Sequence, residues 1–170
     1  RFVFPHAPVR PVTINGGMAM RAWYDLLQAD LVRREDEAGL RASRLDIEAL
    51  IARERARGVP ASRIVLMGFS QGCAMTLLTG LRHAERLAGL VGLSGYLPLA
   101  DTTAAERAAA SVALPIFLAH GRSDPVIPLA RATASRDVLQ SLGCVVEWHE
   151  YPMAHSVCPQ EVADLNRWLL

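Results

Sequence analysis

Five apolar runs rich in Val, Ile, Leu and Phe, bounded by Gly, Pro or polar clusters, punctuate the chain: Phe2 to Phe4, Ile64 to Met67, Leu87 to Leu93, Ile116 to Ala119 and Val145 to Tyr151. Each reads as a strand. Four of them lack the apolar–polar alternation of a half-solvated strand, which is how strands covered on both faces look, so the sheet is expected to be mostly parallel. Between these runs the spacing turns helical: Leu45, Ile47, Ala49, Leu50 and Ile51 ahead of Gly58-Val59-Pro60, then Cys73 to Leu81, Leu129 to Leu142, and Val162 to Leu170 after Pro159. Strand followed by helix, repeated, predicts an α/β fold with helices on both faces of a mostly parallel sheet. There is no internal repeat and no linker, and residues 1–170 read as a single domain of ordinary size. The one long irregular stretch runs from Pro5 to Met20, with Pro8, Pro11 and Gly16-Gly17. Loops of that length inside compact domains usually carry function.

Composition narrows the class of function. At 51% hydrophobic and 21% charged the chain has a globular balance without a disorder signature. No apolar run approaches the roughly 18 residues of a membrane span, and no charged-then-apolar leader opens the chain. A soluble, cytoplasmic protein is expected. The net charge of +1, with arginines and acids interleaved, gives no basic stripe for nucleic acid or an anionic membrane, and a small, largely neutral ligand follows. The 18 basic residues are all Arg, a bias attributed to codon composition. Cys73, Cys144 and Cys158 are odd in number, far apart and without a C-x-x-C pair, so neither a disulfide framework nor a zinc site is suggested and no cofactor is implied. Cys73, inside an apolar helical stretch, reads as a small buried hydrophobe.

The chemistry centres on Gly68-Phe69-Ser70-Gln71-Gly72, directly after one strand and directly before a helix. That context is what a nucleophile elbow requires, because the turn forces the serine into strained dihedrals and only small residues two positions either side let strand and helix approach. A serine hydroxyl needs an adjacent base, and the base needs a partner that fixes its tautomer. Asp124 lies in the proline-stiffened loop after the strand Ile116 to Ala119, and His155 in the loop after Val145 to Tyr151, both at the carboxyl ends of strands. They are the expected acid and base. The other histidines have plainer readings: His149 within a strand, His83 at a helix end, His6 in the long loop, and His120 ordering the Asp124 loop. Asp101 and Asp137, in or beside helical segments and away from strand ends, read as solvated caps, and Ser94, which ends a strand without a following helix, reads as structural.

The segments Phe4 to Pro8, Pro11 to Gly17, Met20 to Asp25, Gly68 to Gly72, Leu93 to Leu97, Gly121 to Pro128 and Met153 to Val157 together resemble, in order and over nearly the whole chain, the carboxylesterase and acyl-protein thioesterase family of α/β-hydrolases, especially its bacterial carboxylesterases. The resemblance implies the same triad of Ser70, Asp124 and His155. It further implies that the Gln71 backbone N–H is one oxyanion donor and that the segment from Thr13 to Trp23 helps line the acyl groove. In this family a Leu-His-Gly-Leu-Gly type loop supplies the second oxyanion donor, upstream of the strand matching Phe2 to Phe4. The chain begins at Arg1, and the amino-terminal portion that carries this loop is expected to lie outside these 170 residues.

The activity expected is hydrolysis of short- to medium-chain carboxylic esters through an acyl-enzyme on Ser70, with the acyl group held against Ile14, Met18, Met20 and Trp23. Acyl thioesters are the alternative substrates of the same machinery, and a non-catalytic member of the fold is the alternative outside enzymes. The partners expected are a small ester substrate and a second copy in a homodimer.

Overall fold

The computed structural model describes residues 1–28 and 34–170. Two short strands, β1 (Val9–Val12) and β2 (Met18–Arg21), pair antiparallel. Four others, β3 (Val65–Phe69), β4 (Gly89–Leu93), β5 (Pro115–Gly121) and β6 (Val145–Tyr151), form a parallel sheet in that order. The helices are α1 (Glu37–Ala56), α2 (Gln71–Arg82), α3 (Ala100–Glu106), α4 (Leu129–Ser141) and α5 (Pro159–Leu169). The expected α/β alternation is therefore present, and four of the five anticipated strands lie within a few residues of their apolar runs.

Register decides which residues share a face. Leu90 is aligned with Leu66 and Ile116, and Val91 with Met67 and Phe117, so one face gathers Leu66, Leu90, Ile116 and Leu118. Leu77 and Leu81 of α2 and Leu139 of α4 close over it. On the opposite face Val91, Leu93, Phe117, Ala119 and Tyr151 pack under Leu165 and Trp168 of α5. Each fully buried Leu or Phe contributes about 1.5–3 kcal/mol, which is what holds β4 and β5 at the centre. Helix α1 lies outside α2, with Leu40 against Leu78 and the Tyr24–Tyr96 pair. Its start is set by Asp36, whose side chain accepts from the Gly39 N–H at 2.9 Å, an N-cap. Leu45, counted on the apolar stripe from sequence, is exposed on the other side of this helix.

Three expectations are corrected. Phe2 to Phe4 is not a strand: it pairs with no described segment, and Phe2 and Phe4 are 78% and 82% exposed. A three-residue apolar run has nothing to hold it extended without a neighbouring ladder. Conversely, Pro5 to Met20 is not irregular throughout, because it supplies β1 and most of β2, joined by a turn in which Gly16 and Gly17 take φ of 67° and 77°. The hairpin was hidden because hardly any of its side chains is buried, so no alternation marks it. Finally, β3 is not covered on both faces. Val65, Met67 and Phe69 lie on the α5 face yet remain 36%, 48% and 37% exposed, because the buried cluster under Leu165 and Trp168 gathers residues of β4 to β6 and none of β3.

Strand β3 thus forms one edge of the sheet beside a groove of about 790 Å³ whose lining includes Phe2, Phe4, Leu50, Ile51, Met67 and Met75. An apolar edge strand is a template for pairing. The 170-residue chain is expected to bind anilinonaphthalene sulfonate and to sediment as more than a monomer, and Met67→Glu to reduce both. A monomer without dye binding would contradict this.

Candidate active site

Strand β3 ends at Phe69 and α2 begins at Gln71, so Ser70 alone makes the turn, at φ 56° and ψ −117°. A non-glycine residue in this region is strained, and the surroundings must enforce it. They do so by closeness: a Cβ on Gly68 would stand 2.1 Å from the carbonyl carbon and oxygen of Gly72, so strand and helix meet there only because residue 68 has no side chain. The Ser70 N–H donates to the Leu93 carbonyl at 2.9 Å, fixing the turn against β4.

The acid and base loops leave the same end of the sheet and are joined to each other. The Arg122 N–H donates to the Tyr151 carbonyl at 2.9 Å and the Ser123 N–H to the Met153 carbonyl at 3.1 Å. Gly121 permits this, for a Cβ there would lie 2.3 Å from the Ala154 oxygen. Asp124 is buried, and its Oδ1 accepts from the Val126 and Ile127 N–H groups at 2.8 and 2.9 Å. Burial alone would push this carboxyl up, but the Ile127 amide, His155 and the Val126 amide outweigh it, and its pKa lies below the usual carboxylate value. Its Oδ2 is 2.7 Å from His155 Nδ1, and His155 Nε2 is 2.9 Å from Ser70 Oγ. With Nδ1–H donating to the carboxylate, Nε2 is free to accept the serine hydroxyl. The structure therefore brings together the three residues singled out from sequence, and Phe69 tilts against the His155 ring at 4.7 Å between centroids.

The remaining candidates sit elsewhere. Buried His120 lies beneath the acid loop, with Nε2 2.9 Å from the Ile127 carbonyl and 3.4 Å from Asp124 Oδ2. His149 stacks on Phe117 and Tyr151, and His83 pairs with Glu48 at 2.6 Å. Asp101 is exposed in the first turn of α3, and Asp137 is paired with Arg136. Ser94 is buried at the end of β4. Burial pushes the Cys73 thiol up to about 12, leaving it inert beneath the elbow. Among the described residues no group of three or more His, Cys, Asp or Glu side chains is placed to hold a metal ion, and no helix is long and apolar enough to cross a membrane.

Gln71 opens α2, where the first four backbone N–H groups have no intrahelical acceptor, so its amide is open to an oxyanion. Its side chain was not singled out by sequence: Oε1 accepts from the Trp23 N–H at 2.9 Å and Nε2 donates to the Tyr24 carbonyl at 3.1 Å. No local signal marks a bond across 48 residues. Trp23 is thereby tied to the elbow and lines the groove beside β3, whereas Ile14, Met18 and Met20 lie exposed on the hairpin and its turn, outside that lining.

Behind the His155 loop, Glu161 of α5 is fully buried, and neither carboxylate oxygen has a hydrogen-bond partner among the described residues. Burial raises its pKa to about 7. In the unfolded chain the group loses its proton near the ordinary value of 4.5, so between there and about 7 the folded state holds the extra proton and stability falls as pH rises. Glu161→Gln, which resembles the protonated form, is expected to gain about 1–3 kcal/mol at pH 8 and much less at pH 5. Thermal unfolding at the two pH values checks this, and an equal shift at both would contradict it.

The chain is 42% identical over 173 residues to an acyl-protein thioesterase 1 of Yarrowia lipolytica, covering 99% of this chain and 76% of that protein. It is 43% identical over 183 residues to the acyl-protein thioesterase 1 of Mycosarcoma maydis, with the same coverage. Among solved structures, Arabidopsis thaliana SOBER1 superposes with a TM-score of 0.93 at 28% identity, over 98% of this chain and 81% of that one. Zea mays acyl-protein thioesterase 2 superposes at 0.86 and 29% identity, over 97% and 78%. The family model described as phospholipase/carboxylesterase matches residues 1–170, and with the α/β-hydrolase fold of these neighbours it shows that the chain belongs to that family of serine ester hydrolases.

Proposed function

We propose that the chain is an acyl-protein thioesterase, cleaving acyl groups from cysteine thiols through an acyl-enzyme on Ser70. The observation that carries the reading is the hydrogen-bonded chain from Ser70 Oγ through His155 to Asp124, at 2.9 and 2.7 Å, on a strained elbow. Ser70 Oγ bonds to the thioester carbonyl carbon while its proton passes to His155 Nε2. The carbon–sulfur bond breaks and the thiol departs with that proton. Water then attacks the acyl-enzyme, gives its proton to His155, and Ser70 regains one as the carboxylic acid leaves. Asp124 holds the histidine tautomer and stabilises the imidazolium. The Gln71 N–H donates to the oxyanion, and Ile14, Met18, Met20 and Trp23 offer apolar surface to the chain of the substrate. A reducing, cytoplasmic setting accords with three free cysteines, two of them buried.

Thioester over oxygen ester is favoured by the relatives, several of which carry the name acyl-protein thioesterase. The test compares an S-octanoyl cysteine peptide with p-nitrophenyl octanoate. Thioester turnover with the higher kcat/KM supports the proposal. Turnover of the oxygen ester alone returns the chain to the carboxylesterase reading, and absence of both together with no fluorophosphonate labelling marks a non-catalytic member.

A further inference from the structure

We infer that the Gln71 side chain is a positioning residue that sets acyl-chain selectivity by coupling Trp23 to the nucleophile elbow; this rests on the function proposed above. Both ends of the carboxamide are used, Oε1 accepting from Trp23 N–H at 2.9 Å and Nε2 donating to the Tyr24 carbonyl at 3.1 Å. The amide therefore grips the backbone just after β2 in a fixed direction, as acceptor at one end and donor at the other.

The gripped segment is a junction. The Trp23 carbonyl accepts from the Ser43 hydroxyl of α1. The Tyr24 hydroxyl lies 3.1 Å from that of Tyr96. Asp25 accepts at 2.7 Å from the Thr13 N–H, and the Ile14 N–H donates to the Leu26 carbonyl at 3.0 Å, so the hairpin turn hangs from the same few residues. Of the contacts joining this junction to the elbow, the Gln71 amide is the one rooted in the residue next to Ser70 itself. A shift of Trp23 relative to Ser70 moves the apolar surface relative to the reacting carbonyl, which a long acyl chain feels and an acetyl group does not reach.

The measurement is the ratio of kcat/KM for p-nitrophenyl octanoate to that for the acetate, with fluorophosphonate labelling followed alongside. Gln71→Met keeps length and removes both hydrogen bonds, and its ratio is expected to fall about tenfold, the scale of one or two net hydrogen bonds, mainly through a raised KM for the octanoate. Gln71→Glu keeps the acceptor for Trp23 N–H but sets an oxygen against the Tyr24 carbonyl, and is expected to fall between the two. Trp23→Ala lowers the ratio in the wild type but adds nothing in Gln71→Met, because residues acting through one another are non-additive. An unchanged ratio in both Gln71 variants, an equal loss for both esters through kcat alone, or additive effects with Trp23→Ala would each overturn the inference. Should Gln71→Met not fold, Gln71→Glu and its cycle with Trp23→Ala decide the matter. Failure of wild-type Ser70 to label would instead overturn the functional reading beneath it.

Discussion

Ser70→Ala is expected to abolish fluorophosphonate labelling and to lower turnover by about 10⁶-fold, the loss seen when the serine of a comparable hydrolase is removed. The size of the effect follows from geometry. Ser70 Oγ is the hydroxyl held 2.9 Å from His155 Nε2, and the competing groups nearby are poorly suited. Ser94 is buried at the end of β4, and burial keeps the Cys73 thiol protonated. Folding should be untouched, because alanine keeps the Cβ and the strained backbone at residue 70 is imposed by the approach of Gly68 to Gly72. Labelling of Ser70→Ala at the wild-type rate would place the nucleophile elsewhere. Loss of labelling together with a collapsed unfolding transition would leave the serine structural, and circular dichroism beside the labelling separates the cases.

The second large effect expected is a loss of about 10⁴-fold in turnover for Asp124→Asn, without loss of fold. An asparagine Oδ1 can still accept from the Val126 and Ile127 amides at 2.8 and 2.9 Å, so the loop keeps its shape. The other arm becomes an NH₂ facing His155 Nδ1, where the carboxylate accepted at 2.7 Å. To meet a donor, His155 must place its proton on Nε2, and a protonated Nε2 cannot take the proton of Ser70. The negative charge that stabilises the imidazolium is lost in the same substitution. Asp101→Asn and Asp137→Asn, on exposed positions of α3 and α4, serve as controls and should retain activity. A loss in either control, with Asp124→Asn active, would reassign the acid.

Much of this site was legible in the linear chain, for reasons that can be named. An elbow needs small residues on both sides of a serine between a strand and a helix, and Gly68 to Gly72 satisfies that within five residues. Parallel strands deliver all their carboxyl ends to one edge, so loops after β5 and β6 must approach the elbow even though Ser70 and His155 are 85 residues apart. The apolar runs of β4 and β5 identified the buried centre because their burial is two-sided and independent of detail.

What only the tertiary structure decided depends on partners that no local pattern encodes. The hairpin of β1 and β2 exists by backbone pairing, Val9 against Arg21 and Val12 against Met18, with little burial to imprint an alternation. Phe2 to Phe4 has the composition of a strand and no described neighbour to pair with, so it is not one. Val65, Met67 and Phe69 have core composition but sit on an edge strand, outside the buried cluster under α5. Gln71 looked like a backbone donor alone until Trp23 and Tyr24, 48 and 47 residues away, were found on its amide. Composition and short-range spacing report each residue's intrinsic preferences, whereas hydrogen-bond register, edge position and long-range clamps are properties of pairs, fixed only when the chain has closed on itself.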